Sequence, residues 1–164
     1  MTKRTTLCLS AALALGLLAG ATVSHSQTSN SSAPPEVRKA ILARLAEIQT
    51  AAESLDADKV FSYVLENNEG ALAQNGKLFL TRKDALESTK QGFQALRSIG
   101  YQMDEQGITM LSPTVALLTG EGSSTVTTAD GRTFTNRFAQ SVVFVFADGE
   151  WKVLHSHRSF PRAN

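Results

Sequence analysis

The sequence predicts an α+β domain whose elements follow the order α-α-β-β-α-β-β-β-β. From Glu36 to Ile99, three stretches repeat apolar residues every three or four positions, as one side of a helix does. From Tyr101 onward the apolar residues alternate as in strands, with hairpin signals at Asp130-Gly131 and Asp148-Gly149. Because helices and an antiparallel sheet must cover each other, we expect a curved sheet wrapped over the three helices.

Capping residues and apolar stripes set the predicted helix boundaries. The first helix is expected from Glu36 to Ser54, and Asp56 is a suitable N-cap for a second, shorter helix. A capping box predicts a third helix over Thr81–Ile99, with Gly100 as its C-terminal stop. The first helix carries one apolar stripe at helical spacing: Val37, Ile41, Leu45, Ile48 and Ala52.

Two kinds of strand are predicted. Two very short strands, Ala71–Gln74 and Lys77–Leu80, flank the preferred hairpin pair Asn75-Gly76. Four longer strands then form an antiparallel meander that closes the chain: Tyr101–Met110, Thr114–Thr128, Thr133–Phe146 and Trp151–Phe160.

The N-terminus has the three parts of a secretory signal peptide. Lys3 and Arg4 precede the uncharged apolar run Leu7–Val23, and small residues then offer cleavage after Ala21 or Ser26. A retained membrane anchor is the alternative, but the run is shorter than the roughly 20 residues that span a bilayer. We therefore expect residues 1–26 to be removed and the protein to be exported, into the periplasm or outside the cell.

Charge and cysteine content limit the possible partners. After residues 1–26 come a Ser- and Pro-containing flexible linker, 27–35, and one domain, 36–164. Loss of two of the 16 basic residues with the signal leaves 14 against 15 acidic ones, a formal charge of −1. Without a basic run, we expect neither nucleic acid nor a membrane surface as partner. The single cysteine, Cys8, lies within the signal, so the exported domain is predicted to fold without disulfides.

The last strand carries a recognisable motif. It runs from Asp148 to Ser159 as Asp-Gly-Glu-Trp-Lys-Val-Leu-His-Ser-His-Arg-Ser, preceded by the Asp130-Gly131 hairpin and Phe138 and followed by Pro161. This motif resembles the closing segment of the SnoaL-like group of the nuclear transport factor 2-like superfamily. It is especially similar to the association (hub) domain of the calmodulin-dependent protein kinases, which ends in a similar His-x-His-Arg-Ser segment. The element order fits that superfamily over residues 36–164.

The resemblance implies a cone-shaped, cystatin-like α+β fold. It also implies a homodimer formed through the sheet and a pocket between sheet and helices. Members include ketosteroid isomerase, polyketide cyclases, dehydratases and non-catalytic binding or assembly modules. Arg158 matches an arginine that lines the pocket of the kinase hub. Val142 and Gly120 stand where the hub has further pocket arginines, and this chain departs from the hub there.

The two histidines of this motif are the sharpest candidates for chemistry. His155 and His157 are two residues apart on a strand and therefore project from the same face. They could chelate a metal with Glu121 as third ligand, or one of them could act as a general base. Alternatively, both imidazoles make structural hydrogen bonds at the pocket rim or in a dimer interface. No zinc signature, phosphate loop or nucleophile–base pair accompanies them, so we expect no metal and no cofactor.

Arg158 and Tyr63 are candidates for ligand binding. Strand alternation places Arg158 on the face opposite the histidines, and only a β-bulge could aim both into one cavity. Following the resemblance, we expect Arg158 to point inward and hold a carboxylate or phosphate, or else to pair with Glu53 or Asp56. Tyr63, on the second helix, could donate its hydroxyl to a ligand oxygen, or it could simply pack with its tip in water.

These observations favour an exported, homodimeric pocket protein that binds a small, possibly anionic organic molecule and has no demonstrable catalytic set. Arg158, Tyr63 and Glu121 are the candidate ligand-binding residues, and His155 and His157 are the candidate catalytic ones. One alternative is an isomerase, cyclase or dehydratase that uses a histidine as proton shuttle. Another is an oligomeric assembly module like the kinase hub.

Overall fold

A computed structural model describes residues 32–161 of the chain, and their elements follow the predicted order. The predicted signal peptide, residues 1–26, and residues 27–31 of the predicted linker lie outside the described residues. The three helices and six strands are α1 (Pro35–Glu53), α2 (Ala57–Ser62), β1 (Leu72–Gln74), β2 (Lys77–Phe79), α3 (Arg82–Gln94), β3 (Leu96–Ser112), β4 (Val115–Thr128), β5 (Thr133–Ala147) and β6 (Glu150–Ser159).

All six strands form one curved, open sheet in the order β2-β1-β6-β5-β4-β3. The four long strands make the predicted antiparallel meander, and the helices cover its concave face, so the α+β prediction is confirmed. The sequence did not indicate how the small hairpin attaches. Strand β1 runs parallel to β6, with Leu72 opposite Ser156 and Gln74 opposite Arg158, and this pairing extends the concave face.

The third helix is shorter than predicted. It ends at Gln94, and Leu96–Gly100 instead begins β3, so the prediction of helix to Ile99 with a stop at Gly100 is wrong. Leu96 pairs with Thr128 and Ile99 with Val126, and the register shifts between them. Because of this β-bulge, two residues three apart share a strand face, a spacing that the sequence presents as helical.

The core lies at one end of the layer between α1 and the sheet. Ile41 and Leu45 of the predicted α1 stripe pack against Leu118, Phe144 and Trp151, all of them buried. Trp151 is therefore a core residue, with its ring centroid 5.4 Å from that of Phe146. A second, smaller cluster joins α2 and α3 to β1 through Phe61, Ala71 and Ala85. The two clusters hold the helices against the sheet, and between the clusters the curved sheet is separated from the helices.

The first described residues pair with the free edge of the sheet. Ser32 forms an antiparallel bridge with Thr109 of β3, and the Ala33 N–H donates to the Ile108 carbonyl at 3.2 Å. The end of the predicted linker therefore contacts the domain. Within residues 32–161, no helix combines the length and the apolar character that a membrane crossing needs.

Two glycines permit the bend between β3 and β4. The register of these strands shifts between Met103 and Glu105, and Gly120 and Gly122 lie opposite this β-bulge. A Cβ atom at Gly120 would lie 2.8 Å from the Glu105 carbonyl oxygen, and one at Gly122 would collide with the Gln102 carbonyl. Any larger residue would therefore push the two backbones apart.

Replacing Gly122 should cost stability. We expect Gly122→Ala to lower the free energy of unfolding by about 1–3 kcal/mol, because its methyl group would collide with backbone. Gly92→Ala is the matched control: Gly92 is helical with no atom within 4 Å of an added Cβ, so stability should rise by about 0.5–1 kcal/mol. Denaturant unfolding measures both, and a neutral Gly122→Ala would contradict the close approach.

Candidate functional site

A cavity of about 620 Å³ lies between the concave face of the sheet and the three helices. Most of its wall is apolar and comes from every helix and from the central strands. Representative lining residues are Leu45, Ile48, Phe61, Phe93, Val142 and Phe144. A volume of this size accommodates a small organic molecule.

The charged residues of the lining are all cationic. Lys77 of β2 and Arg158 of β6 contribute to the wall, whereas no carboxylate and no imidazole does so among the residues described. Neither cation forms a salt bridge within residues 32–161. The cavity is therefore electropositive, although the domain as a whole is close to neutral.

Arg158 is held by a neutral amide and two aromatic rings. One guanidinium nitrogen, Nη2, donates to Oε1 of Gln140 at 2.9 Å. The guanidinium carbon lies 4.5 Å from the ring centroid of Phe138 and 5.2 Å from that of Tyr101, both cation–π distances. These contacts orient the group without neutralising its charge.

The two carboxylates considered as partners of Arg158 have other roles. Glu53 accepts a hydrogen bond from the Tyr101 backbone N–H at 3.0 Å. Asp56 caps α2 by accepting from the Lys59 N–H at 2.9 Å, as predicted for an N-cap. Because both are engaged elsewhere, the guanidinium keeps donors free for another acceptor.

Gln140 is the residue that sequence reasoning missed. Its side chain is only 5% exposed, and its Nε2 atom is buried without a hydrogen-bond partner among residues 32–161. Since a guanidinium can only donate, the amide oxygen must face Arg158, and the unpaired atom is therefore a donor. A signal for it existed: Gln140 is the one polar residue among the inward positions Phe138 to Phe144 of β5, which alternate with outward ones.

A β-bulge in β6 explains why Arg158 and Trp151 share the concave face. Val143 pairs with His155 and Phe144 with Val153, which leaves Leu154 as an extra residue. Trp151 and Val153 point into the core, and beyond the bulge Ser156 and Arg158 point into the cavity. Simple alternation predicts Trp151 on the same face as the histidines. The extra residue Leu154 reverses the alternation, so Trp151 lies on the opposite face.

The two histidines lie on the outer side of β6, away from the cavity lining. Nδ1 of His155 is 2.7 Å from the Gly70 carbonyl oxygen, and His157 is exposed opposite Ser141. The structure thus gives His155 a structural hydrogen bond and places neither imidazole beside a molecule in the cavity.

Glu121 and Tyr63 are also placed outside the cavity lining. Glu121 lies on the outer face of β4, 3.2 Å from Nη2 of Arg137, which also contacts Asp104. Within residues 32–161, no three His, Cys, Asp or Glu side chains are grouped so as to hold a metal ion. Tyr63 ends α2, and its ring lies 4.6 Å below the guanidinium of Arg44.

Arg44 connects Tyr63 to the sheet by an ion pair with Glu150 at 2.7 Å. The Lys152 ammonium, by its hydrogen bond, and then Arg44 lower the pKa of Glu150 below its usual value. These contacts join α1 and α2 to β6 on the side away from the cavity. The Tyr63 ring therefore belongs to a surface packing arrangement.

Comparison with known proteins agrees with this architecture. The family model described as the SnoaL-like domain matches residues 41–163. A search of curated proteins finds no match. Among solved structures, a nuclear transport factor 2-like superfamily protein from Salmonella enterica has a TM-score of 0.70 at 14% identity, covering 79% of this chain and 94% of its own.

Two further structures are similar to the chain at the level of the fold. A candidate association domain of calcium/calmodulin-dependent protein kinase II from Xanthomonas campestris has a TM-score of 0.68 at 16% identity, covering 83% of this chain and 97% of its own. A candidate scytalone dehydratase from Novosphingobium aromaticivorans has a TM-score of 0.69 at 14% identity, with coverages of 77% and 85%. At such identities the likeness concerns the fold.

The tautomer of His155 tests the placement of the histidines. Since the Gly70 carbonyl can only accept, we expect the neutral imidazole to carry its proton on Nδ1. Long-range ¹H–¹⁵N correlation spectra at neutral pH report this directly, and the signals that disappear in a His155→Gln variant identify His155. A bare Nδ1 would show that the ring does not bond to Gly70.

Proposed function

The chain belongs to the SnoaL-like family, and from this premise we propose that it binds a small organic anion in its cavity. Arg158 and Gln140 hold the carboxylate or phosphate, and the apolar wall takes the rest of the molecule. The observation that carries this proposal concerns the described part of the chain: there the buried Nε2 donor of Gln140 is unpaired, and it lies beside a guanidinium without a carboxylate partner.

The energetics of buried donors favour an anion at this position. A buried donor without an acceptor costs about 1–3 kcal/mol, and a guanidinium near an apolar wall is costlier still. A carboxylate placed beside the Arg158–Gln140 pair would accept from the guanidinium and from Nε2 of Gln140 at once. Hydrogen bonds of this charge-assisted kind are about twice as strong as neutral ones.

The lining favours binding over proton transfer. The groups that most often abstract a proton from a bound substrate are imidazoles and carboxylates, and they must lie within hydrogen-bond reach of it. Among the described residues, the wall has neither, since His155 and His157 lie on the outer face and Glu121 pairs with Arg137. We therefore assign no catalytic role to these residues.

Removing the charge of Arg158 should weaken anion binding selectively. We expect Arg158→Gln to raise the dissociation constant of octanoate about tenfold or more, because the charge-assisted bond is lost. Arg97→Gln is the matched control, since Arg97 is exposed on β3 outside the lining. Isothermal titration calorimetry measures both variants.

Gln140→Glu sharpens the same experiment. The new carboxylate would pair with Arg158 and repel an incoming anion, so binding should be lost while the fold remains intact. Equal octanoate affinity in Arg158→Gln and the native protein would refute the proposed site, as would undiminished affinity in Gln140→Glu.

We also propose that the protein is exported and homodimeric. The charged, apolar and small-residue segments of residues 1–26 support export.

The resemblance of the C-terminal motif supports a dimer through the outer face of the sheet. Expressed in a bacterium with its full N-terminus, the protein should be recovered from the periplasm or medium with a mass beginning after Ala21 or Ser26. Light scattering should give twice that mass. An uncleaved chain would exclude export with signal removal, and a monomer would exclude the homodimer.

A further inference from the structure

Four polar side chains of the concave face form a row across four strands. Lys77 of β2 pairs with Gln74 of β1, Gln74 with Arg158 of β6, and Arg158 with Gln140 of β5. All four residues line the cavity. We call Lys77, Gln74, Arg158 and Gln140 the polar row.

The two cations of the polar row stand at a defined separation. Lys77 and Arg158 lie two strands apart, and neighbouring strands are about 4.8 Å apart, so their backbones are separated by about 10 Å. The neutral side chain of Gln74 lies between them. One anionic group on Arg158 and Gln140 therefore leaves the charge of Lys77 uncompensated.

The surroundings of Lys77 do not supply a counter-charge. Its Nζ lies 4.7 Å from the ring centroid of Phe79, a contact that orients the ammonium without neutralising it. No described carboxylate pairs with it, and none lines the cavity. Beside the polar row, the adjoining strand positions Phe79, Leu72 and Val142 are apolar and also line the cavity.

We propose that the ligand is an elongated organic dianion that lies along the polar row. One anionic group binds Arg158 and Gln140, the other binds Lys77, and the apolar middle packs on Leu72, Val142 and the helices. This inference rests on the proposed function and adds to it the number and the spacing of the charges on the ligand. An extended eight-carbon α,ω-dicarboxylate spans roughly 8–9 Å between its ends, which matches the row.

Suberate and octanoate make a direct comparison, because they share a chain length and differ by one carboxylate. At pH 7, where both acids are ionised, we expect the native protein to bind suberate about tenfold tighter than octanoate. Succinate, too short to reach both cations, should lose this advantage. Isothermal titration calorimetry on the purified protein gives the three affinities.

Substitutions of two lysines test whether Lys77 binds the second carboxylate. Lys77→Gln should bring suberate down to the affinity of octanoate, so that the ratio of the two affinities falls from about ten to about one. Lys83→Gln is the matched control, since Lys83 is an exposed lysine of α3 outside the lining, and it should retain the preference for suberate. Both positions are exposed, so neither substitution should affect folding.

The outcomes separate this inference from the proposed function. If octanoate binds through Arg158 but suberate binds no tighter, the dianion is wrong and the anion site stands. A suberate preference that survives in Lys77→Gln also overturns the inference, because another group then holds the second carboxylate. If neither acid binds the native protein, both the anion site and the dianion fail.

Discussion

One extra residue in the last strand sets the arrangement of both core and cavity. Because Leu154 is bulged out of the β5–β6 ladder, β6 contributes Trp151 and Val153 to the core and then Ser156 and Arg158 to the cavity. A regular strand would have sent Arg158 to the outer face, opposite Trp151. The same shift turns His155 outward to the Gly70 carbonyl. The core, the proposed anion site and the position of the histidines thus all depend on this bulge.

The curvature of the sheet creates the cavity, and the bulge in β6 directs the polar side chain of Arg158 into it. The sheet bends at the β3–β4 irregularity, where Gly120 and Gly122 let two backbones approach more closely than a Cβ would allow. Helix α1 closes one end of the resulting hollow by packing Ile41 and Leu45 on Leu118 and Phe144. At the other end the helices stand away from the sheet. The cavity therefore lies beyond the residues that pack α1 onto the sheet.

The apolar periodicity of the sequence predicted the order of the helices and strands, but it did not predict which face of each strand lies inward. Apolar residues spaced three or four positions apart and capping residues located the helices, and alternation located the four long strands, because these patterns reflect local burial. The end of α3, the faces of β6 and the parallel attachment of β1 were beyond reach, since each depends on a bulge or on a distant pairing. Glu121 and Tyr63 were expected at the site on sequence grounds, but pairing with Arg137 and Arg44 places them outside it.

The composition of the polar row is the reason why we propose binding and not proton abstraction for this cavity. Donors such as Arg158 and the Nε2 of Gln140 stabilise negative charge, but they cannot accept a proton. A carboxylate introduced at position 140 would not make a strong base, because the adjacent guanidinium would stabilise its ionised form. The lining residues of α1 to α3 are apolar or neutral, and the lining within residues 32–161 contains no carboxylate and no imidazole. Under the proposed function, the acceptor that satisfies the polar row arrives with the ligand.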